Sequence, residues 1–223
     1  MTPVKIMRLS HATLTKEGKH LLDDVSVDIS MHKSTIIMGH NGAGKTLLLS
    51  VLHGLVALDS GTLSHHQPHT QKMVFQKPIL MRRSAARHFT FASGISDPSQ
   101  INDWFEKARI GDKAHTPARH LSSGEAQKLA VISALAAAPD ILFLDEPTSN
   151  LDAQSRAEIE ALLHDAKQIG TTIVMVTHSL AQAERLADEI IYLQEGQILD
   201  HQMADDFLSG KRSVSANHFL AER

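Results

Sequence analysis

The chain has 223 residues, 42% of them hydrophobic and 21% charged, with a formal net charge of -3 and no cysteine. That size buries one substantial core, and the balance excludes a disordered chain, disulfides, a thiolate metal site and a Cys nucleophile. The slightly acidic charge argues against a nucleic-acid partner. No apolar run approaches the roughly 20 residues that cross a bilayer, and the segment 1–10 lacks an apolar region long enough for a signal peptide.

In chain order, hydrophobic period and breakers predict short strands over 6–14 and 25–29. A buried strand over 34–38 then runs through a Gly-rich loop into a helix over about 44–55. Asp59-Ser60-Gly61 reads as a turn and 73–75 as another short strand. The stretch 84–120 holds short helical patterns, the single Trp104, and breakers at Gly94, Pro98, Gly111 and Pro117. It reads as an inserted helical subdomain. A long helix is expected from Ser122 or Ser123 to about Ala138, before Pro139. Four apolar residues, Ile141 to Leu144, suit a central parallel strand buried on both faces. Asp152 is placed to cap a helix whose apolar positions Ile159, Leu162, Leu163, Ala166 and Ile169 keep the helical period, with Gly170 ending it. A strand over 172–176, a helix over 180–187 and a strand over 190–193 complete an α/β pattern with a largely parallel sheet.

Gly39-His40-Asn41-Gly42-Ala43-Gly44-Lys45-Thr46 fits the phosphate-loop pattern between a strand and a helix. Glycines let backbone N–H groups turn toward a phosphate, and the helix N-terminus adds positive dipole. Lys45 offers a cation to the β- and γ-phosphates, and the Thr46 hydroxyl a ligand to Mg²⁺. The strand ending in Asp145-Glu146 adds a second acidic feature. Asp145 is suited to hold Mg²⁺ and Glu146 to act as general base, although acids also mark strand ends simply because the chain reaches solvent there.

With these motifs in order, the chain resembles the ATPase subunits of ABC transporters over nearly its whole length. Leu121-Ser122-Ser123-Gly124-Glu125 is similar to the family signature. Pro147-Thr148-Ser149-Asn150-Leu151-Asp152 is similar to the D-loop, Gln76 to the Q-loop glutamine, and His178 to the switch histidine. The resemblance implies a P-loop NTPase core, a small antiparallel β region and an inserted helical subdomain over about 84–120. All of these would lie within one domain, 1–223, whose core is 1–83 and 121–223. It implies ATP and Mg²⁺ as cofactors and a head-to-tail homodimer that places Ser122, Ser123, Gly124 and Glu125 against a partner's nucleotide. Gln76 would sense Mg²⁺ and the membrane subunit, and His178 would contact the γ-phosphate. Permease subunits, and through them a substrate-binding protein, are the implied partners. The implied location is cytoplasmic, on the inner face of the cell membrane.

Four positions depart from the family pattern. Leu47 stands where a hydroxyl residue is usual, Ser123 replaces a glycine and is expected to crowd the nucleotide if φ is positive, and Lys128 stands for Arg. The segment 14–18 lacks the aromatic that stacks on adenine. The stretch 74–84 looks like the Q-loop region of tungstate- or molybdate-type oxyanion importers, and no appended oxyanion-sensing domain is expected, since the sequence ends soon after the ATPase core. The alternatives are a phosphate or amino-acid importer, an export or cell-envelope complex and, ranked last because the chain has one ATPase unit and a short insert, a soluble ABC protein of DNA repair or translation. Ile79, Leu80 and Met81 read either as a docking patch or as residues packed under the helical subdomain. His65, His66 and His69 read as a solvated hairpin tip rather than a metal site.

Overall fold

The computed structural model describes residues 4–221, the last three by backbone alone. Positions 1–3 of the N-terminal segment lie outside the described residues. The elements are β1 (Lys5–Lys16), β2 (Lys19–Ser30), β3 (Ser34–Met38), α1 (Lys45–His53), β4 (Ser60–His65) and β5 (Gln71–Val74). Then come α2 (Ala85–Ser93), α3 (Pro98–Lys107), α4 (Ser123–Leu135), β6 (Ile141–Asp145), α5 (Ala153–Gln168) and β7 (Thr172–Val176). The chain continues through α6 (Leu180–Leu186), β8 (Glu189–Gln194), β9 (Gln197–Met203), α7 (Ala204–Leu208) and α8 (Val214–Ala221). They form two compact units, one of 1–69 with 172–223 and the other of 70–171.

In the first unit, β2, β1 and β4 make an antiparallel sheet. Beside it, β7, β3, β8 and β9 are neighbours in that order, parallel from β7 to β8 and antiparallel at β9. All five residues of β3 are buried, as a strand with parallel neighbours on both sides requires. α1 covers this layer with buried Leu48, Leu49, Val51 and Leu52.

In the second unit, β5 pairs in parallel with β6, and Val74 stands opposite Leu144. Helices pack around this pair. Phe89, Phe105 and Phe143 are fully buried, and the rings of Phe89 and Phe105 meet edge-on at 5.7 Å. α4 is buried along most of its length, with Leu129, Val131, Ile132, Ala134 and Leu135 among the buried residues, the mark of a core helix. Sequence-legible caps start the helices. Ser84 and Asp97 accept N–H bonds at α2 and α3, and Asp152 caps α5 as expected.

Several expected boundaries shift. α4 stops at Leu135, three residues short, and Ala138 takes a positive φ of 46° before Pro139. β5 ends at Val74, so Gln76 lies two residues beyond the strand rather than closing it. His65 is no hairpin tip: it is paired with Met7 inside β4, and the His66 N–H bonds the Ile6 carbonyl.

Candidate phosphate and hydrolysis site

In the first unit the phosphate loop leaves the carboxyl end of β3 and enters α1. Gly39 has φ 149°, and a Cβ there would collide with the Leu193 carbonyl. Gly44, the N-cap of α1, has φ 100°, and its Cβ would lie 3.0 Å from the Leu21 carbonyl oxygen. A side chain is therefore excluded at both ends of the loop. No side chain caps α1, which leaves the helix start open to an anion. Asn41 and Gly42 are exposed and Ala43 is buried beneath them. Lys45 is 6% exposed, and its amine donates to the carbonyls of Gly39 at 3.0 Å and His40 at 2.8 Å. Thr46 is exposed at the second helical position, with Leu47 half-buried after it.

β7 lies beside β3, and its continuation, the Thr177 N–H, bonds the Ile37 carbonyl at 3.3 Å. The exposed His178 thus leaves from the strand end adjacent to the phosphate loop. The carboxyl ends of neighbouring parallel strands are where open α/β sheets bind ligands.

In the second unit the parallel register of β5 and β6 carries Gln76 and Glu146 out from adjacent strand ends. The Gln76 side-chain amide donates to Glu146 Oε2 at 3.1 Å and to Ser149 Oγ at 3.3 Å. Asp145 is 7% exposed at the end of β6. Glu146 has φ 43°, a left-handed conformation costly for a residue with a Cβ. The sequence marks this residue by its place after Asp145; the backbone strain has no sequence signal.

The signature opens α4 with a capping box. Ser122 Oγ accepts from the Glu125 N–H at 3.3 Å, and the Glu125 carboxylate accepts from the Ser122 N–H at 2.8 Å. Burial alone would raise the Glu125 carboxyl, but the Ser122 hydrogen bonds and the nearby Lys113 charge outweigh it and hold it below the usual range. Ser122 and Ser123 are exposed. Ser123 sits in the first helical turn and is not among the positive-φ residues, so the expected crowding has no backbone cause. Gly124 is the demanding position, because its Cβ would meet Ser155 Oγ at 2.6 Å.

Other residues fall as follows. Ile79 is 80% exposed, whereas Leu80 and Met81 are half-buried; the Leu80 carbonyl accepts from Arg119 and the Met81 N–H bonds His88 Nδ1. A groove of about 340 Å³ lies there, lined by Phe75, Pro78, Ile79, His88 and Phe91 among others. Among the described residues no group of three or more His, Asp or Glu is placed to hold a metal by itself, and no helix is long and apolar enough to cross a membrane.

A family model described as "ABC transporter" matches residues 22–149. Phosphate import ATP-binding protein PstB of Mycoplasmoides gallisepticum is 32% identical, over 84% of this chain and 66% of that protein, so the chain spans just under two thirds of that relative. Glutamine transport ATP-binding protein GlnQ of Bacillus subtilis is 26% identical over 91% of this chain and 92% of that protein. A solved structure titled as the ATP binding subunit of an ABC transporter superposes with a TM-score of 0.84 at 21% identity, covering 97% of this chain and 98% of the other. The α/β architecture with its antiparallel β region is that of the ABC ATPases. With a family model matched over more than half its length and the phosphate loop built as that chemistry requires, this chain belongs to the ABC transporter family, among its ATP-binding subunits.

Proposed function

We propose that the chain binds and hydrolyses ATP as a head-to-tail homodimer that energises an importer, held at the inner face of a membrane by permease subunits and served by a substrate-binding protein. The observation that carries this reading is Lys45, buried at the head of α1 with its amine folded onto the loop's own carbonyls. Those two carbonyls are exchangeable for phosphate oxygens, a stronger charge-assisted partner.

Each residue has a role in this reading. The phosphate loop, from Gly39 through Thr46, grips the phosphates with its backbone N–H groups and Lys45. The Thr46 hydroxyl and the Asp145 carboxylate are hard oxygen donors, and few protein ligands suit an ion that keeps its waters and phosphate oxygens; the donor set fits Mg²⁺. When bound, Mg²⁺ neutralises charge on the transferring phosphate. Glu146 takes a proton from the attacking water as the water oxygen bonds the γ-phosphorus and the bond to the β-bridging oxygen breaks, leaving ADP and phosphate. The Gln76 amide, already on Glu146, orients that carboxylate. His178 contacts the γ-phosphate, and Ser122 through Glu125 close over the nucleotide of the other copy. The groove at Phe75, Ile79 and Phe91 receives the permease.

For cargo, the relatives named for phosphate and glutamine support those importers over tungstate or molybdate. Phosphate is itself an oxyanion, so it reconciles the Q-loop resemblance with the relatives. The test is reconstitution with permease and binding protein. ATP hydrolysis should rise with phosphate and stay flat with glutamine, tungstate or molybdate. Stimulation by tungstate or molybdate alone would reverse the cargo assignment, and no Mg²⁺-dependent hydrolysis under any condition would overturn the ATPase reading.

A further inference from the structure

A cluster of charged groups in the second unit has no part in the chemistry above. Glu158, in α5, has a side chain only 8% exposed. It accepts from Lys128 Nζ at 2.8 Å and from Gln154 Nε2 at 3.0 Å, and Arg109 lies 3.6 Å away. The Lys128 side chain is as deeply buried. One turn earlier on both helices lies a second contact. Gly124 approaches Ser155 so closely that no Cβ fits between them, and Ser155 is tied to Asp152 by two hydrogen bonds of 2.8 Å.

The spacing gives this pair of contacts its meaning. Positions 124 and 128 share one face of α4, and 155 and 158 share one face of α5. Two contacts on facing stripes fix both the rotation and the slide of one helix on the other. α4 begins with the signature, and α5 begins where the loop 147–152 ends. A buried ion pair adds little net stability over an apolar pair of the same size, but its direction can specify register.

We infer that Glu158 is a positioning residue: through Lys128 it locks α4 to α5 so that the signature and the loop 147–152 present one rigid face to a second copy of this chain. The inference rests on the ATP-bridged dimer proposed above.

The experiment uses the full chain carrying Glu146→Gln, with Mg²⁺ and ATP. Sedimentation reads dimerisation, calorimetry reads ATP affinity, and thermal melting reads folding. The parent should dimerise with ATP. Adding Glu158→Gln or Lys128→Met should weaken dimerisation at least about tenfold and leave the ATP affinity of the monomer within about twofold. The Glu158→Gln/Lys128→Met double should be no worse than the worse single, the non-additivity of a coupled pair, and Lys128→Arg should retain dimerisation. Single variants that dimerise within about twofold of the parent, or losses that simply multiply, would overturn the inference. Should a single variant melt below the assay temperature, the apolar double Lys128→Met/Glu158→Leu keeps the test sharp: it should fold yet dimerise poorly, and full dimerisation would again overturn the idea. A parent that binds ATP and never dimerises would sink the dimer reading itself, and this inference with it.

Discussion

Glu146 carries two demands that conflict. The proposed mechanism needs its carboxylate at the end of β6, and its backbone takes φ 43° there. Glu146→Gln keeps the shape and removes the proposed base, so turnover should fall at least about a hundredfold with ATP affinity nearly unchanged, checked by steady-state kinetics and calorimetry. Glu146→Gly should be equally inactive, but more stable by about 1 kcal/mol in chemical denaturation, because glycine takes a positive φ without strain. The motif was legible in the sequence, and the strain was not. The signature shows the same division. Position 123 draws attention as a departure from the family, yet the glycine that packing requires is the next one. Ser123→Gly should therefore change stability by less than about 1 kcal/mol. Gly124→Ala should cost about 1–3 kcal/mol because its methyl meets Ser155.

Whole elements were legible where the pattern was strong. β3, β6 and β7 each hold a run of three or four apolar residues, and each is fully buried. The missed elements lack that signal. β4 is almost entirely exposed, its sequence SGTLSH carrying a single apolar residue, and it is held by backbone pairing to β1. β9 alternates, but weakly, along the outside of β8. The β1–β2 hairpin turns at Glu17 and Gly18, both with positive φ, and has no Phe, Tyr or Trp over 14–20. Base stacking on an aromatic side chain is worth roughly 1–3 kcal/mol, so GTP should compete with ATP within about tenfold. A hundredfold preference for ATP in competition assays would point to His20, whose ring meets the Thr15 hydroxyl across the hairpin. In β8, burial alone would raise the Glu189 carboxyl. The His201 ring 3.6 Å away, the hydrogen bond from Ser30 and the charge of Lys5 outweigh it, so its folded value is lowered. A lowered carboxylate stabilises the fold above its unfolded value, near 4.5, and that stability is lost as pH falls through the folded value. Glu189→Gln should thus cost about 1–3 kcal/mol at neutral pH and flatten the acid limb of an unfolding profile.

At the scale of the molecule, the motifs are divided between the two compact units. The phosphate loop and His178 belong to one, and Gln76, the signature, Asp145 and Glu146 to the other. Order along the chain made the motifs recognisable; it held no sign of this division, which follows from where contacts concentrate. Ligand that binds only the folded protein stabilises it by mass action, about 2.7 kcal/mol at a hundredfold excess over Kd. Mg²⁺–ATP at that excess should raise the unfolding free energy by this amount in the unmodified chain, and by far less in Lys45→Ala at the same concentration. Equal stabilisation of both by denaturation would remove Lys45 from phosphate binding.

The strand that launches the phosphate loop has both its neighbours at the far end of the chain: β3 lies between β7 and β8. On the ribosome, therefore, Ser34–Met38 emerges long before anything it can pair with, and the whole of 70–171 must be synthesised first. Until Thr172–Val176 and Glu189–Gln194 leave the exit tunnel, β3 is an apolar strand with two bare edges, a target for aggregation and for chaperones. A nascent chain arrested before residue 172 should fail to retain ATP, and one extended past β9 should hold it, so that the nucleotide site matures among the last parts of the protein to be made although its motif is among the first to be translated.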